Sequence, residues 1–373
     1  LGSVGDGTVI SRISPVTLSI TNIREISAGL YHTVAVLTNG TVNSWGHDSS
    51  GQLGNGVTND GSFSASPVVV TGLVNALHVA CGNNHTLVTR ANGQIAAWGL
   101  NSSGQLGTGS VAASSNVPVS YFSNSRRVFA SGDHSMTQQV WGGFFTCGKN
   151  DVGQCARVPA LSYNSMSGIG SYVRGASGFG DHSLIIGSNG QVWACGGNSS
   201  GQLGGGSTGG SSNVLTLVTA RWPVSHIVGL SASAYATHAV KSEGSLSGWG
   251  YNADGQVGDG GTSTQTAAVP VPLSNVLKTA SGQIGDHALA LAWDGKVYAW
   301  GSNSQGQLGN GAISNSATSS PALVSGVFSV RDIAAGGSHS LVIDNSGSVY
   351  AWGDDSYGQV GDDAAFDDYE ANP

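Results

Sequence analysis

Histidine binds metals and transfers protons, and six of the ten histidines recur at one position of an internal repeat. The fifth repeat has Ala236 there and His238 two residues later, on the same strand face. If the repeats are the blades of a closed ring, as predicted below, equivalent histidines are spread around it. They cannot converge on one zinc ion within the ~2.1 Å of a zinc–nitrogen bond. We therefore predict no metal or cofactor, and hydrogen bonds between neighbouring strands or blades instead. The six residues are His32, His85, His134, His182, His287 and His339.

Tryptophan also recurs at one position, directly before a glycine. Cys147 and Cys195 fill this position in repeats 3 and 4. Bulky aromatic side chains at a repeated position are typical of packing between repeat units. We predict that these tryptophans are core residues. They are Trp45, Trp98, Trp249, Trp300 and Trp352.

Cysteine chemistry is suggested by repeat 3, where Cys147 replaces the tryptophan and Cys155 replaces a leucine. Both changes flank one loop of one repeat. We hypothesise a Cys147–Cys155 disulfide in place of a lost Trp–Leu contact, which would indicate an oxidising compartment. Two buried thiols are the alternative.

Four Asn-x-Ser/Thr triplets could accept N-linked glycans in a secreted protein, at Asn39, Asn84, Asn101 and Asn198. We expect Asn101 and Asn198 in exposed Gly-Gln loops and Asn39 in a hairpin turn, which suit a glycan. Asn84 begins a strand and suits one least.

Catalytic motifs are absent from the sequence. It contains no His-Glu-x-x-His, and because no helical pattern appears it offers no nucleophile elbow, in which a Gly-x-Ser-x-Gly segment joins a strand to a helix. The recurring Gly-Gln loops lack the Gly-Lys-Ser/Thr of a phosphate-binding loop, so we expect the glutamine amide to tie each loop together. We predict that the protein is not an enzyme.

All these residues belong to a sequence unit that occurs seven times, and each unit contains one Gly-Gln loop. Successive Gly-Gln pairs are separated by 53, 49, 48, 54, 51 and 52 residues. A period near 51 is typical of one four-stranded propeller blade. Asn-Gly, Asp-Gly or Ser-Gly pairs within the repeats predict β-hairpins. The loop glutamines are Gln52, Gln105, Gln154, Gln202, Gln256, Gln307 and Gln359.

We therefore predict an all-β, seven-bladed β-propeller of four-stranded blades, closed by the N-terminal strand, which completes the last blade. The propeller is expected to span residues 1–363, followed by an acidic tail at 364–373. The predicted repeat cores are 23–56, 74–109, 126–158, 173–206, 224–260, 276–311 and 330–363.

Composition narrows the classes of partner. Only 9% of the 373 residues are charged, and the net charge is −8 with 13 lysines and arginines. This balance argues against a nucleic-acid partner. No apolar run approaches the ~18 residues of a membrane helix, so we predict no membrane span.

The blade pattern of Ala-Gly, His-Ser-Leu, Trp-Gly and Asn-x-x-Gly-Gln-Leu-Gly resembles the regulator of chromosome condensation repeat family, across residues 20–363. The resemblance implies a seven-bladed propeller but no single activity, because members include a GTPase exchange factor, an ultraviolet-B receptor and secreted or scaffold proteins. The exchange factor carries a wedge-like insertion and a basic tail. The even repeat steps here leave no room for a large insertion.

Three functions follow from these observations. Low charge, the sequons and the hypothesised disulfide favour a non-catalytic extracellular or secreted propeller. It would be structural or binding, glycosylated, and would contact a protein partner or copies of itself through its faces. An intracellular scaffold or GTPase exchange factor, cytoplasmic or nuclear, is the first alternative. A secreted protein inhibitor of an enzyme is the second.

Overall fold

The computed structural model describes residues 12–57, 63–111, 114–156, 160–165, 173–218, 225–282 and 286–354. Within these ranges 28 β-strands form seven antiparallel four-stranded sheets, and no helix is present. The seven-bladed, all-β fold predicted from the repeat is confirmed. Glutamine Gln359 and the acidic tail 364–373 lie outside the described residues.

The strands are short, five to ten residues each. Strands of the first half are β1 Arg12–Thr17, β2 Ile23–Ala28, β3 His32–Leu37, β4 Val42–His47, β5 Phe63–Val69, β6 Ala76–Cys81, β7 His85–Arg90, β8 Ile95–Leu100, β9 Ser114–Phe122, β10 Ser125–Ser131, β11 His134–Gln139, β12 Phe144–Gly148, β13 Ala160–Ser165 and β14 Val173–Phe179. Those of the second half are β15 His182–Gly187, β16 Val192–Gly197, β17 Ser211–Leu217, β18 Ile227–Ala232, β19 Ala236–Lys241, β20 Leu246–Gly250, β21 Gln265–Val271, β22 Val276–Ser281, β23 His287–Ala292, β24 Val297–Asn303, β25 Ser314–Leu323, β26 Val330–Ala335, β27 His339–Asp344 and β28 Val349–Gly353.

The sheets form a closed ring of blades. Each of blades 1 to 6 contains four consecutive strands, beginning with β2, β6, β10, β14, β18 and β22. Blade 7 is β26, β27 and β28 completed by β1, which pairs antiparallel with β28 through Val16 and Ala351. The innermost strands contact each other in sequence around the ring, and β26 returns to β2. Such closure removes exposed sheet edges.

Strand direction gives the ring two distinct faces. At one end lie the turns between second and third strands, the connectors between blades, and the start of every innermost strand; we call it the hairpin face. The Gly-Gln loops lie at the opposite end, which we call the loop face. The described hairpin turns are 38–40, 91–93, 140–142, 188–190, 242–244, 293–295 and 345–347, and the described Gly-Gln loops are 48–54, 101–107, 150–156, 198–204, 252–258 and 303–309.

The core lies between neighbouring blades. Trp45 of blade 1 packs with Leu341 and Ile343 of blade 7, and Trp352 of blade 7 packs with Leu289 and Leu291 of blade 6. Each of the five repeats that has this tryptophan therefore buries it against the preceding sheet, so these blades do not complete their cores alone.

Candidate functional site

The repeated histidines lie at the seams between blades, where each ring contacts a hydroxyl group of the next blade. All six are buried. The contact from His339 to Thr33 joins blade 7 to blade 1 and so closes the ring. From histidine Nε2 to hydroxyl oxygen, the contacts are His32–Thr86 at 3.0 Å, His85–Ser135 at 2.9 Å, His134–Ser183 at 2.7 Å, His182–Thr237 at 3.3 Å, His287–Ser340 at 3.0 Å and His339–Thr33 at 3.4 Å.

Hydroxyl groups and loop glutamines continue these seams. Ser135 donates its hydroxyl hydrogen to the Gln105 carbonyl at 2.7 Å, so its oxygen is left to accept a hydrogen bond from His85 Nε2. Four of the five tryptophans donate to the carbonyls of loop glutamines in the preceding blade. These bonds join Trp98 to Gln52 at 2.8 Å, Trp249 to Gln202 at 2.9 Å, Trp300 to Gln256 at 2.9 Å and Trp352 to Gln307 at 2.9 Å.

Burial keeps four of the seam histidines neutral. It lowers the pKa of His32, His85, His134 and His339 to about 3, and neighbouring ring charges add to the effect. The Nδ1 atoms of these four rings have no hydrogen-bond partner among the described residues, so a second proton would find no acceptor. Proton transfer at neutral pH is therefore not a function of these rings.

One seam differs, between blades 5 and 6. Blade 5 has Ala236 instead of histidine, and blade 6 has Ala288 where the other blades have the accepting hydroxyl. His238 replaces both, because its Nδ1 lies 3.0 Å from Ser281 Oγ of blade 6 and its Nε2 lies 3.0 Å from the Gln256 carbonyl. The seam keeps its polar contact through a different pair of residues.

The hypothesised Cys147–Cys155 disulfide is wrong. All four cysteines lie in described residues, and each is a buried thiol. Cys147, in the tryptophan position, directs its sulfur to the Gln105 carbonyl of the preceding blade at 3.5 Å. Cys155 directs its sulfur to the Lys149 carbonyl of its own blade at 3.4 Å. The two thiols thus face different blades.

The expected exposure of Asn101 and Asn198 is also wrong, because both side chains are buried. Asn101 accepts from the Leu106 amide at 3.0 Å and donates to the Ser110 carbonyl at 3.0 Å. Asn198 makes the equivalent bonds within its loop. A side-chain amide that ties its own loop is not accessible to a glycan. Asn39 is exposed and Asn84 is half-buried, accepting a hydrogen bond from Gln52.

The Gly-Gln loops are closed by their own glutamines. Gln52 Oε1 accepts the Ser50 amide at 2.8 Å, and this bond recurs for Gln105, Gln154, Gln202, Gln256 and Gln307. Gly54 has φ +64°, and a Cβ there would lie 2.7 Å from Trp98 Nε1. Glycine is therefore required where this loop meets the next blade.

Two kinds of feature are absent from the described part of the chain. No group of three His, Cys, Asp or Glu side chains there could hold a metal ion. No helix in the same residues is long and apolar enough to cross a membrane.

The two faces differ in charge. Among described side chains, the loop face has one cation, Lys149, against eight aspartates: Asp48, Asp133, Asp151, Asp181, Asp254, Asp259, Asp286 and Asp354. The hairpin face has eight cations, Arg24, Arg90, Arg126, Arg127, Lys241, Lys278, Lys296 and Arg331, against Glu25, Glu243, Asp294, Asp332 and Asp344. The chain is acidic overall, yet its hairpin face is cationic.

Exposed aromatic side chains are a second feature of the hairpin face. Trp293, in a hairpin turn, is 55% exposed, and Phe328, in the connector before β26, is 77% exposed. Trp141 is exposed in the blade 3 turn. Exposed tryptophan and phenylalanine beside cations are typical of protein interfaces.

Sequence reasoning missed this face, although the sequence contains a signal for it. Five of the nine arginines are the second or third residue of an innermost strand, and strand direction places that position at the hairpin face. They are Arg24, Arg126, Arg127, Arg174 and Arg331.

Comparison with known proteins identifies the repeat. The "Regulator of chromosome condensation (RCC1) repeat" matches residues 39–89, 92–137 and 294–343, and a second pattern of the same description matches 23–52, 77–105, 173–202, 280–307 and 330–359. The "Ultraviolet-B receptor UVR8" of Arabidopsis thaliana is 30% identical over 323 residues, which are 83% of this chain and 72% of that protein.

Two further proteins are similar to this chain in sequence. The "RCC1 domain-containing protein RUG3, mitochondrial" of Arabidopsis thaliana is 28% identical, over 85% of this chain and 78% of its own length. The human "E3 ubiquitin-protein ligase HERC2" is 36% identical, but over 48% of this chain and 4% of its own length. The resemblance to HERC2 is confined to its repeats.

Solved structures share the fold. Human WBSCR16 has a TM-score of 0.80 and 19% identity, covering 94% of this chain and 97% of that one. Yeast RCC1 (Prp20), solved bound to Kap60, has a TM-score of 0.75 and 17% identity, covering 89% and 80%.

Proposed function

Because the chain belongs to the regulator of chromosome condensation (RCC1) repeat family, we propose that it is a non-catalytic, protein-binding propeller that acts as a scaffold. The cationic, aromatic-bearing hairpin face is the observation that carries this proposal. Its exposed Trp293 and Phe328 supply apolar contact area, and its cations supply orientation. The seam residues, in contrast, are buried and form hydrogen bonds that hold neighbouring blades together.

The relatives favour the intracellular alternative over the extracellular one. A mitochondrial relative supports a location inside the cell, and the four buried thiols fit a reducing compartment. A secreted, glycosylated or self-assembling protein has no support from the relatives. Yeast RCC1, which shares only the fold, is described as bound to Kap60 and as binding Gsp1p and histones, a precedent for protein binding by this architecture.

Site-specific photo-crosslinking tests the proposal. The photoreactive residue p-benzoylphenylalanine would replace Phe328 on the hairpin face or, as the matched control, Tyr251 on the loop face, where it is also exposed. Irradiation in the source cells should give a discrete adduct from position 328 and none from position 251. Adducts from position 251 alone, or from neither position, would contradict the proposal.

A further inference from the structure

The central channel holds a cavity of about 730 Å³, lined by the innermost strands of blades 1, 2, 3, 5, 6 and 7. A cavity of this volume is within the range of small-ligand pockets, so it can take a few side chains of an extended segment and not a folded domain. Its end at the hairpin face, which we call the mouth, includes Arg24, Arg127, Val228 and Leu277. The following inference rests on the proposed function and names the partner chemistry of this mouth.

One wall of the mouth is cationic. Arg24 of blade 1 and Arg127 of blade 3 are exposed, and neither guanidinium has a hydrogen-bond or ion-pair partner among the described residues. Between them, in blade 2, His78 Nδ1 lies 2.9 Å from a carboxylate oxygen of Glu25. A guanidinium without an internal partner can bind a carboxylate without breaking an existing contact.

The other cations among the described side chains of the mouth are already engaged. Lys278 forms an ion pair with Asp332 and donates to the Ile333 carbonyl at 3.1 Å. Arg331 donates to the Asp344 carbonyl at 3.0 Å and to the Ile23 carbonyl, which ties blade 7 to blade 1. Among the described side chains of the mouth, Arg24 and Arg127 are therefore the cations that remain available to a ligand.

The opposite wall carries exposed apolar side chains beside the paired Lys278. Val228 of blade 5 and Leu277 of blade 6 line the channel and are 52% and 54% exposed. Leu230 lines it further in. Blades 5 and 6 stand across the ring from blades 1 to 3, so a segment entering the mouth would meet cations on one side and aliphatic groups on the other.

We propose that the mouth binds an acidic-apolar peptide segment of a partner protein. Carboxylates of the segment pair with Arg24 and Arg127, and an aliphatic or aromatic side chain packs against Val228 and Leu277. Two available guanidiniums and an apolar wall match this ligand better than they match nucleic acid, whose binding needs many phosphate contacts. The acidic loop face of a second copy carries the matching charge. A folded propeller, however, is too large to enter the central channel of another copy.

Fluorescence anisotropy with the full chain tests this inference. The probe is a fluorescein-labelled peptide, Glu-Glu-Leu-Asp-Glu-Phe-Asp-Glu, and its control has lysine at every acidic position. We expect saturable binding of the acidic probe alone. Arg24→Glu with Arg127→Glu should weaken it at least about tenfold, equivalent to roughly 1.4 kcal/mol. Arg126→Glu is the matched control, because Arg126 is exposed beside Arg127 but does not line the channel.

The apolar wall has its own pair of variants. Leu277→Asn should weaken binding about threefold to tenfold, because the lost contact is one aliphatic side chain. Leu323→Asn, at an equally exposed leucine on outer strand β25, should leave binding unchanged. Matched urea midpoints for all variants show that each one folds.

Four results would overturn the inference. The first is no saturable binding of the acidic probe, and the second is a loss of binding from Arg126→Glu equal to that from the double charge reversal. The third is displacement of the probe by an oligothymidine at a lower concentration than by unlabelled peptide. The fourth is self-association of the protein that the double charge reversal abolishes. The last two would assign the mouth to nucleic acid or to a second copy. Crosslinking from position 328 is independent of the probe, so the proposed function can survive failure of this inference.

Discussion

The seams between blades and the mouth of the channel both hold ionisable side chains, but the two regions treat them differently. At the seam between blades 2 and 3, His85, Ser135 and the Gln105 carbonyl are buried in one chain of hydrogen bonds. At the mouth, Arg24 and Arg127 are exposed and have no partner among described side chains. The difference teaches that recurring residues which are buried and bonded to a neighbouring blade hold the ring together, whereas exposed residues without such bonds are available for the proposed binding.

The largest expected effect is acid destabilisation through the seams. The folded pKa of His32, His85, His134 and His339, at about 3, lies below the ordinary 6.5, so the unfolded chain binds more protons between these values. The free energy of unfolding should therefore fall as the pH falls from about 6.5 toward 3. Urea midpoints at neutral pH and near pH 5 measure it, and equal midpoints would contradict neutral, buried rings.

Removal of one seam histidine should have the next largest effect. His85→Ala deletes a buried ring and leaves a cavity, so the free energy of unfolding should fall by about 2–4 kcal/mol. His78→Ala is the matched control at the mouth, since His78 is half-buried and its contact with Glu25 is worth at most about 1 kcal/mol. Equal losses in free energy of unfolding for the two variants would contradict the claim that seam residues, and not mouth residues, stabilise the ring.

A smaller gain should follow from Asp48→Asn. Asp48 fills the loop position where Asn101, Asn198 and Asn303 tie their loops, and burial raises its pKa to about 6, partly offset by the Leu53 amide. Because the folded pKa is raised from the ordinary 3.8, stability is lost as the pH rises from 3.8 to about 6, and the full cost of the ionised form is present above about 6. The variant should gain about 1 kcal/mol at pH 8 and less at pH 5. A lower free energy of unfolding for the variant at pH 8 would show that the Asp48 charge stabilises the fold.

The smallest stability effect should come from the mouth itself. Arg24→Glu with Arg127→Glu removes no internal contact, so the free energy of unfolding should change by less than about 0.5 kcal/mol. Thermal or urea unfolding measures it. A loss comparable with that of His85→Ala would mean that the mouth arginines support the fold.

The sequence predicted the ring well, because one period recurs along the chain and one hairpin signal recurs in five of the seven repeats. It failed where the outcome depends on side-chain direction. Cys147 and Cys155 flank one loop in sequence, but their strand and loop geometry turns the thiols toward different blades. Asn101 reads as a surface loop residue, and only the fold shows that its amide is consumed within the loop.

The mouth was missed for a related reason. Arg24 and Arg127 are 103 residues apart in sequence, and only strand direction and ring closure show that both lie at the mouth. Val228 and Leu277 belong to still other blades. A single repeat carries no information on which blades stand opposite each other, so such a composite site is invisible to motif reasoning.

Hydroxyl-radical footprinting of the protein with and without its native partner tests the central claim most directly. Trp293 and Phe328 report on the hairpin face, and the exposed pair Tyr235 and Tyr251 reports on the loop face. We expect the partner to protect Trp293 and Phe328 from oxidation while Tyr235 and Tyr251 stay reactive. Protection of the two tyrosines with Trp293 and Phe328 unchanged would contradict the account.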